Sequence, residues 1–155
     1  MAEAKRTGHF RDELRSDEFT SRVERIRVAA RGRTVELNGW EPVPELHGSY
    51  DTVLSLGRLP NEGDPVRYLQ QLVAHLEPSG VLWALEPTIR TRRRGRRLRF
   101  GRIRNGATDV PAELRAAGLF VTDLDRFVLP SAHRAGTPFV EAVARFPTDA
   151  AQPDG

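Results

Sequence analysis

Between Arg90 and Arg104 stand nine arginines and no acid, with Leu98, Phe100 and Ile103 interleaved. Guanidinium groups at that density can grip phosphates, and apolar or aromatic side chains between them can stack on bases. Arg92, Arg93, Arg94, Arg96 and Arg97 are the candidate polyanion contacts, on nucleic acid or another polyanion. A solvated loop, an acidic protein partner and an anionic lipid surface are the competing readings of the same stretch. The whole chain has 24 basic and 21 acidic residues for a net charge of +3, so outside this stretch 15 basic residues face 21 acids. The basic character is therefore local. Lys5 is the one lysine, a skew toward arginine that GC-rich coding produces without any demand for guanidinium chemistry.

Other reactive side chains form no pattern. His9, His47, His75 and His133 fall on different segments, without the spacing of a metal site. His75 is expected on the exposed side of its helix. Cysteine is absent, which excludes disulfides, thiolate zinc sites and thiol nucleophiles. No Gly-x-Ser-x-Gly elbow or phosphate-binding loop occurs. Glu86, at the end of a predicted strand, has the position of a general base, although a carboxylate there is as readily structural.

The elements that would position these groups follow from periodicity. Phe19, Val23, Ile26 and Ala30 recur on one face of a helix expected over residues 11–31, with Ser16 and Asp17 as caps and Gly32 as the stop. Thr34 to Leu37 reads as a short strand closed by Asn38-Gly39. Tyr50 to Leu56 is apolar enough for a buried parallel strand. Asp64-Pro65 opens a helix whose stripe is Val66, Leu69, Leu72, Val73 and Leu76. Pro78-Ser-Gly80 ends it before a strand at Val81 to Leu85, which makes a strand–helix–strand crossover. Asp109 caps a short helix to Ala117, and strands at Phe120–Leu129 and Phe139–Phe146 form a near-hairpin. At 155 residues this is one domain, expected over 16–146, with a flexible arm at 1–15 and a frayed tail at 147–155.

Three motifs in order carry a family resemblance. Tyr50-Asp51-Thr52-Val53 is similar to an "FD-x-V" strand. Leu76-Glu-Pro-Ser-Gly-Val-Leu is similar to "LKPGG-x-L", and Leu114-Arg-Ala-Ala-Gly-Leu-Phe-Val to "L-x-x-AGF-x-V". Together they resemble the C-terminal part of class I S-adenosylmethionine-dependent methyltransferases that act on small molecules. The resemblance implies an α/β fold: an incomplete Rossmann-like methyltransferase sheet, mostly parallel with an antiparallel C-terminal strand. It implies S-adenosylmethionine as cofactor, bordered by Asn38, Gly39, Trp40 and Glu41 and by Ser55, Leu56 and Gly57, beyond the carboxyl ends of parallel strands. In the family, two further strands normally separate the matches of Thr34–Leu37 and Tyr50–Leu56; here the two either pair directly or leave an exposed edge.

The family's glycine-rich cofactor loop has no counterpart here. It would fall before residue 30, where Gly8 is an isolated glycine. The expectation is therefore a methyltransferase-like protein that is inactive or weak alone. The alternative is a non-enzymatic module that binds polyanions through Arg90–Arg104. A sheet edge left open by the absent strands would invite a homo- or hetero-oligomeric partner. With no apolar run long enough for a membrane span and no signal-peptide pattern, a cytoplasmic location is expected. Methyl transfer depends mainly on alignment, so no catalytic side chain is singled out.

Overall fold

The computed structural model describes residues 10–89, 107–131 and 135–148. The arginine stretch, with Arg92, Arg93, Arg94, Arg96 and Arg97, lies outside the described residues. The elements are α1 (Asp17–Ala29), β1 (Thr34–Asn38), β2 (Tyr50–Leu56), α2 (Pro65–Ala74), β3 (Leu76–Pro87), α3 (Val110–Ala116), β4 (Phe120–Leu129) and β5 (Thr137–Arg145). Short 3-10 turns at Glu13–Arg15 and Leu59–Asn61 precede α1 and α2.

Each helix begins where a short polar side chain satisfies a first-turn N–H group. Ser16 Oγ accepts from the Phe19 N–H at 3.3 Å, Asp64 from that of Arg67 at 3.1 Å, and Asp109 from that of Ala112 at 3.2 Å. Prolines in the first turns of α2 and α3 need no N–H partner there. The predicted stripe of α1 is the buried one, with Phe19, Val23 and Ile26 inside.

The five strands form one open sheet in the order β1-β2-β3-β5-β4. β1, β2 and β3 are parallel, and β5 runs antiparallel to both β3 and β4. Four strands thus point one way and the last is reversed: an incomplete Rossmann-like sheet, as the resemblance implied. β1 pairs directly with β2, Leu37 opposite Ser55, so no strands stand between them. Among the described residues β1 and β4 are the edge strands.

Both faces are covered. On one, Leu69 and Leu72 of α2 and Val110 and Leu114 of α3 pack against Leu37, Val53, Leu82 and Val140. On the other, Phe19, Val23 and Ile26 of α1 pack with Phe10 against Leu54, Leu56, Leu85 and Phe139. Burying each of these large side chains contributes on the order of 1.5–3 kcal/mol.

Two details depart from the sequence reading. β3 starts at Leu76, within the predicted helix stripe. The Tyr50 N–H donates to the His75 carbonyl at 2.7 Å and draws the chain into the sheet as soon as α2 ends, and the register then shifts, Leu76 pairing with Tyr50 and Val81 with Thr52. Pro78, which has no N–H for the ladder, lies in that irregular span. Secondly, the 10–15 part of the expected arm is packed, with Phe10 and Glu13 buried. No helix among the described residues is long and apolar enough to cross a membrane.

Candidate functional site

The carboxyl ends of β1, β2 and β3 are where an open α/β sheet receives a ligand. After β1 the chain makes a stapled turn. Asn38 is buried, and its Oδ1 accepts the N–H groups of Trp40 (3.2 Å) and Glu41 (2.8 Å). Its Nδ2 donates to Glu36 Oε2 at 2.9 Å and Glu41 Oε2 at 3.2 Å. The Gly39 N–H donates to the Leu56 carbonyl at 3.0 Å. A Cβ on Gly39 would overlap the Gly57 carbonyl oxygen, so only glycine permits this approach of the two turns. The turn leaves the Trp40 indole half exposed and edge-on to Phe19, with ring centroids 6.0 Å apart. Glu41 is exposed beside it.

After β2 the chain turns inward. Ser55, Leu56 and Gly57 are all buried. Gly57 has φ 62° and donates its N–H to the Leu85 carbonyl at 2.8 Å. Glu86, fully buried at the end of β3, organises this turn. Its Oε1 accepts the Ser55 hydroxyl at 2.7 Å and the Arg58 N–H at 3.0 Å, and its Oε2 accepts the Leu59 N–H at 3.1 Å. Ser55 Oγ also lies 3.1 Å from the Tyr68 hydroxyl. Burial pushes the Glu86 carboxyl up to about 7, against the hydrogen bonds from Ser55, Arg58 and Leu59 that hold it down. Burial, and then the neighbouring Glu86, also raise the Tyr68 hydroxyl. A general base must reach the proton it takes, and Glu86 is spent on its own loop, so the geometry gives it a positioning role.

The segment before α1 closes the strand ends from above. Leu14 lies against Gly57, where a Cβ would sit 2.6 Å from Leu14 Cδ2. Thr137 Oγ1 donates to Glu13 Oε1 at 2.7 Å, and Phe10 meets Phe139 edge-on at 6.3 Å. Beside this plug remains a cavity of about 680 Å³, lined by Gly39 and Trp40 on one side and by α1 and the segment before it on the other. Of the seven residues expected to border a cofactor, Gly39 and Trp40 line this cavity. Asn38 holds their turn from inside. Ser55, Leu56 and Gly57 are buried, Gly57 against Leu14. Sequence reasoning placed Phe19 in a helix stripe without its role beside Trp40, and nothing in the local pattern marks Leu14 as a cover.

Charge around the cavity is uneven. Arg27 is held bidentately by Glu36, Nε to Oε1 at 2.6 Å and Nη2 to Oε2 at 2.8 Å. The hydrogen bond from Arg27 keeps the Glu36 carboxyl below the usual carboxylate range despite its partial burial, and Glu36 raises Arg27 in return. Arg11 and Arg15, at the other end of the cavity, have no ion pair among the described residues. Among those residues no cluster of His, Asp or Glu could hold a metal ion.

No family model matches the sequence, and no curated protein matches it significantly. Solved structures do resemble the fold. The mitomycin 7-O-methyltransferase MmcR is 17% identical with a TM-score of 0.41, over 63% of this chain and 30% of that one. The [4+2]-cyclase SpnF is 17% identical with a TM-score of 0.49, over 69% and 53%. The arsenic(III) S-adenosylmethionine methyltransferase CrArsM from Chlamydomonas reinhardtii is 16% identical with a TM-score of 0.45, over 66% and 39%. The chain thus spans between 30% and 53% of the length of these three proteins.

Proposed function

We propose that this chain is a methyltransferase-like protein that is inactive or weak alone and does not hold S-adenosylmethionine at its strand ends. One observation carries the reading: both glycine N–H groups at the tips of β1 and β2 are already spent within the sheet, and Leu14 covers Gly57. A cofactor cradle needs free backbone donors that a ligand can approach closely. The Ser55 hydroxyl is likewise committed to Glu86. The exposed ring of Trp40, with Gly39 beneath it and Glu41 beside it, is the surface left for an adenine.

Calorimetric titration of the isolated chain with S-adenosylmethionine tests this. The expected trace shows no saturable heat at micromolar cofactor, and a micromolar Kd would overturn the reading. Among the described residues β1 is an edge strand, and another chain, homologous or not, would extend the sheet there. Light scattering that shows only monomer at high concentration would count against self-association there.

A second reading rests on the nine arginines without an acid between Arg90 and Arg104. A polyanion bound by them would be released steeply by salt. Fluorescence anisotropy with a single-stranded oligonucleotide, with and without neutral replacements at Arg92, Arg93, Arg94, Arg96 and Arg97, decides it. Absence of binding at low salt excludes this reading.

A further inference from the structure

We infer that the cavity between α1 and the turn after β1 is a binding site for a small aromatic carboxylate. The inference shares Trp40 with the surface named above for an adenine, but it needs no S-adenosylmethionine, because its anchor is the arginine pair at the other end of the cavity, which selects the opposite charge from a sulfonium.

The volume of about 680 Å³ falls in the range of small-molecule sites. Its apolar wall is Leu14, Phe19, Val23 and Trp40. Trp40 is the informative member. Its indole is 46% exposed, yet its backbone N–H is held by Asn38 and its ring packs edge-on to Phe19. The ring is oriented before any ligand arrives, so stacking on it orders little. Phe19 and Val23, one turn apart on α1, continue that surface along the groove. From Phe19 to Arg27 the helix advances about 12 Å, enough to lie alongside two fused rings.

Charge then selects the ligand. At the far end, Arg27 is neutralised by Glu36, to which it donates two hydrogen bonds, and Glu24 adds a negative charge nearby. At the near end, Arg11 and Arg15 line the cavity, and neither has an ion pair among the described residues. A planar acid would lay its rings on Trp40 and Phe19 and turn its carboxylate toward that pair, where the guanidinium fork matches carboxylate geometry. A neutral ring would lack the anchor, and a cation would be repelled.

The test uses 2-naphthoate and its neutral isostere 2-naphthamide, titrated calorimetrically into the full chain. The acid is expected to bind at one site with a submillimolar Kd and at least tenfold tighter than the amide. The double variant Arg11→Gln/Arg15→Gln should weaken the acid at least tenfold and leave the amide unchanged. Both arginines are exposed, so its thermal midpoint should match that of the native chain. Trp40→Ala should weaken both ligands. Equal affinity for acid and amide, unchanged affinity in the arginine variant, or no binding of the acid at millimolar concentration would each overturn the inference.

Discussion

Replacing Gly57 by alanine attacks the closure at its tightest point. The residue has φ 62°, and an alanine in that left-handed conformation costs about 1–2 kcal/mol. The new methyl would also sit 2.6 Å from Leu14 Cδ2 and 3.3 Å from its Cδ1, so Leu14 must be displaced. Overpacking of that kind costs about 1–3 kcal/mol, which gives Gly57→Ala a total of about 2–5 kcal/mol. The two contributions separate in a double-mutant cycle. Leu14→Ala alone should cost about 1–3 kcal/mol, since the side chain is only partly buried. Adding Gly57→Ala to it should cost only the backbone part, leaving a coupling of about 1–3 kcal/mol. Urea unfolding of the four proteins, followed by far-UV circular dichroism, measures each quantity. Additive costs, with Gly57→Ala equally harmful in both backgrounds, would show that Leu14 does not cover Gly57 and would refute the closure.

Phe19→Ala removes a ring packed edge-on to both Trp40 and Phe139 and should lower stability by about 3–5 kcal/mol, read from the same urea transitions. Glu86 should make stability fall with rising pH. Its folded-state value of about 7 lies above the ordinary 4.5, so its contribution is fully present below about pH 4.5 and lost as pH climbs through 7. Glu86→Gln should abolish that slope, up to about 3 kcal/mol between pH 5 and 8, and an unchanged slope would contradict the assignment. Arg27→Ala breaks a pair that is exposed on the arginine side and should cost under about 1 kcal/mol in thermal or urea unfolding.

Much of the fold was legible because local rules decided it. The α1 stripe of Phe19, Val23 and Ile26, the Asp64-Pro65 and Asp109 helix starts and the buried run at Tyr50–Leu56 each follow from periodicity or capping. Features set by tertiary contacts were not. Leu76 obeys the helix period, yet the hydrogen bond between Tyr50 and the His75 carbonyl places it in β3. Phe10–Arg15 looked like an arm because its anchors, Thr137 for Glu13 and Phe139 for Phe10, lie more than a hundred residues away. For the site, the Asn38-Gly39 turn was visible as turn chemistry, and Trp40 as a ring beside it. That Gly39 and Gly57 back onto one another depends on direct pairing of β1 with β2, one of two arrangements between which the spacing could not choose.

The closure is tested most directly by amide chemical shifts of Gly39 and Gly57 during titration with S-adenosylmethionine. Their N–H groups point at Leu56 and Leu85 within the sheet, so both resonances should stay in place up to millimolar cofactor. Saturable movement of both at micromolar cofactor would show that the strand ends are open to the ligand and that the account is wrong.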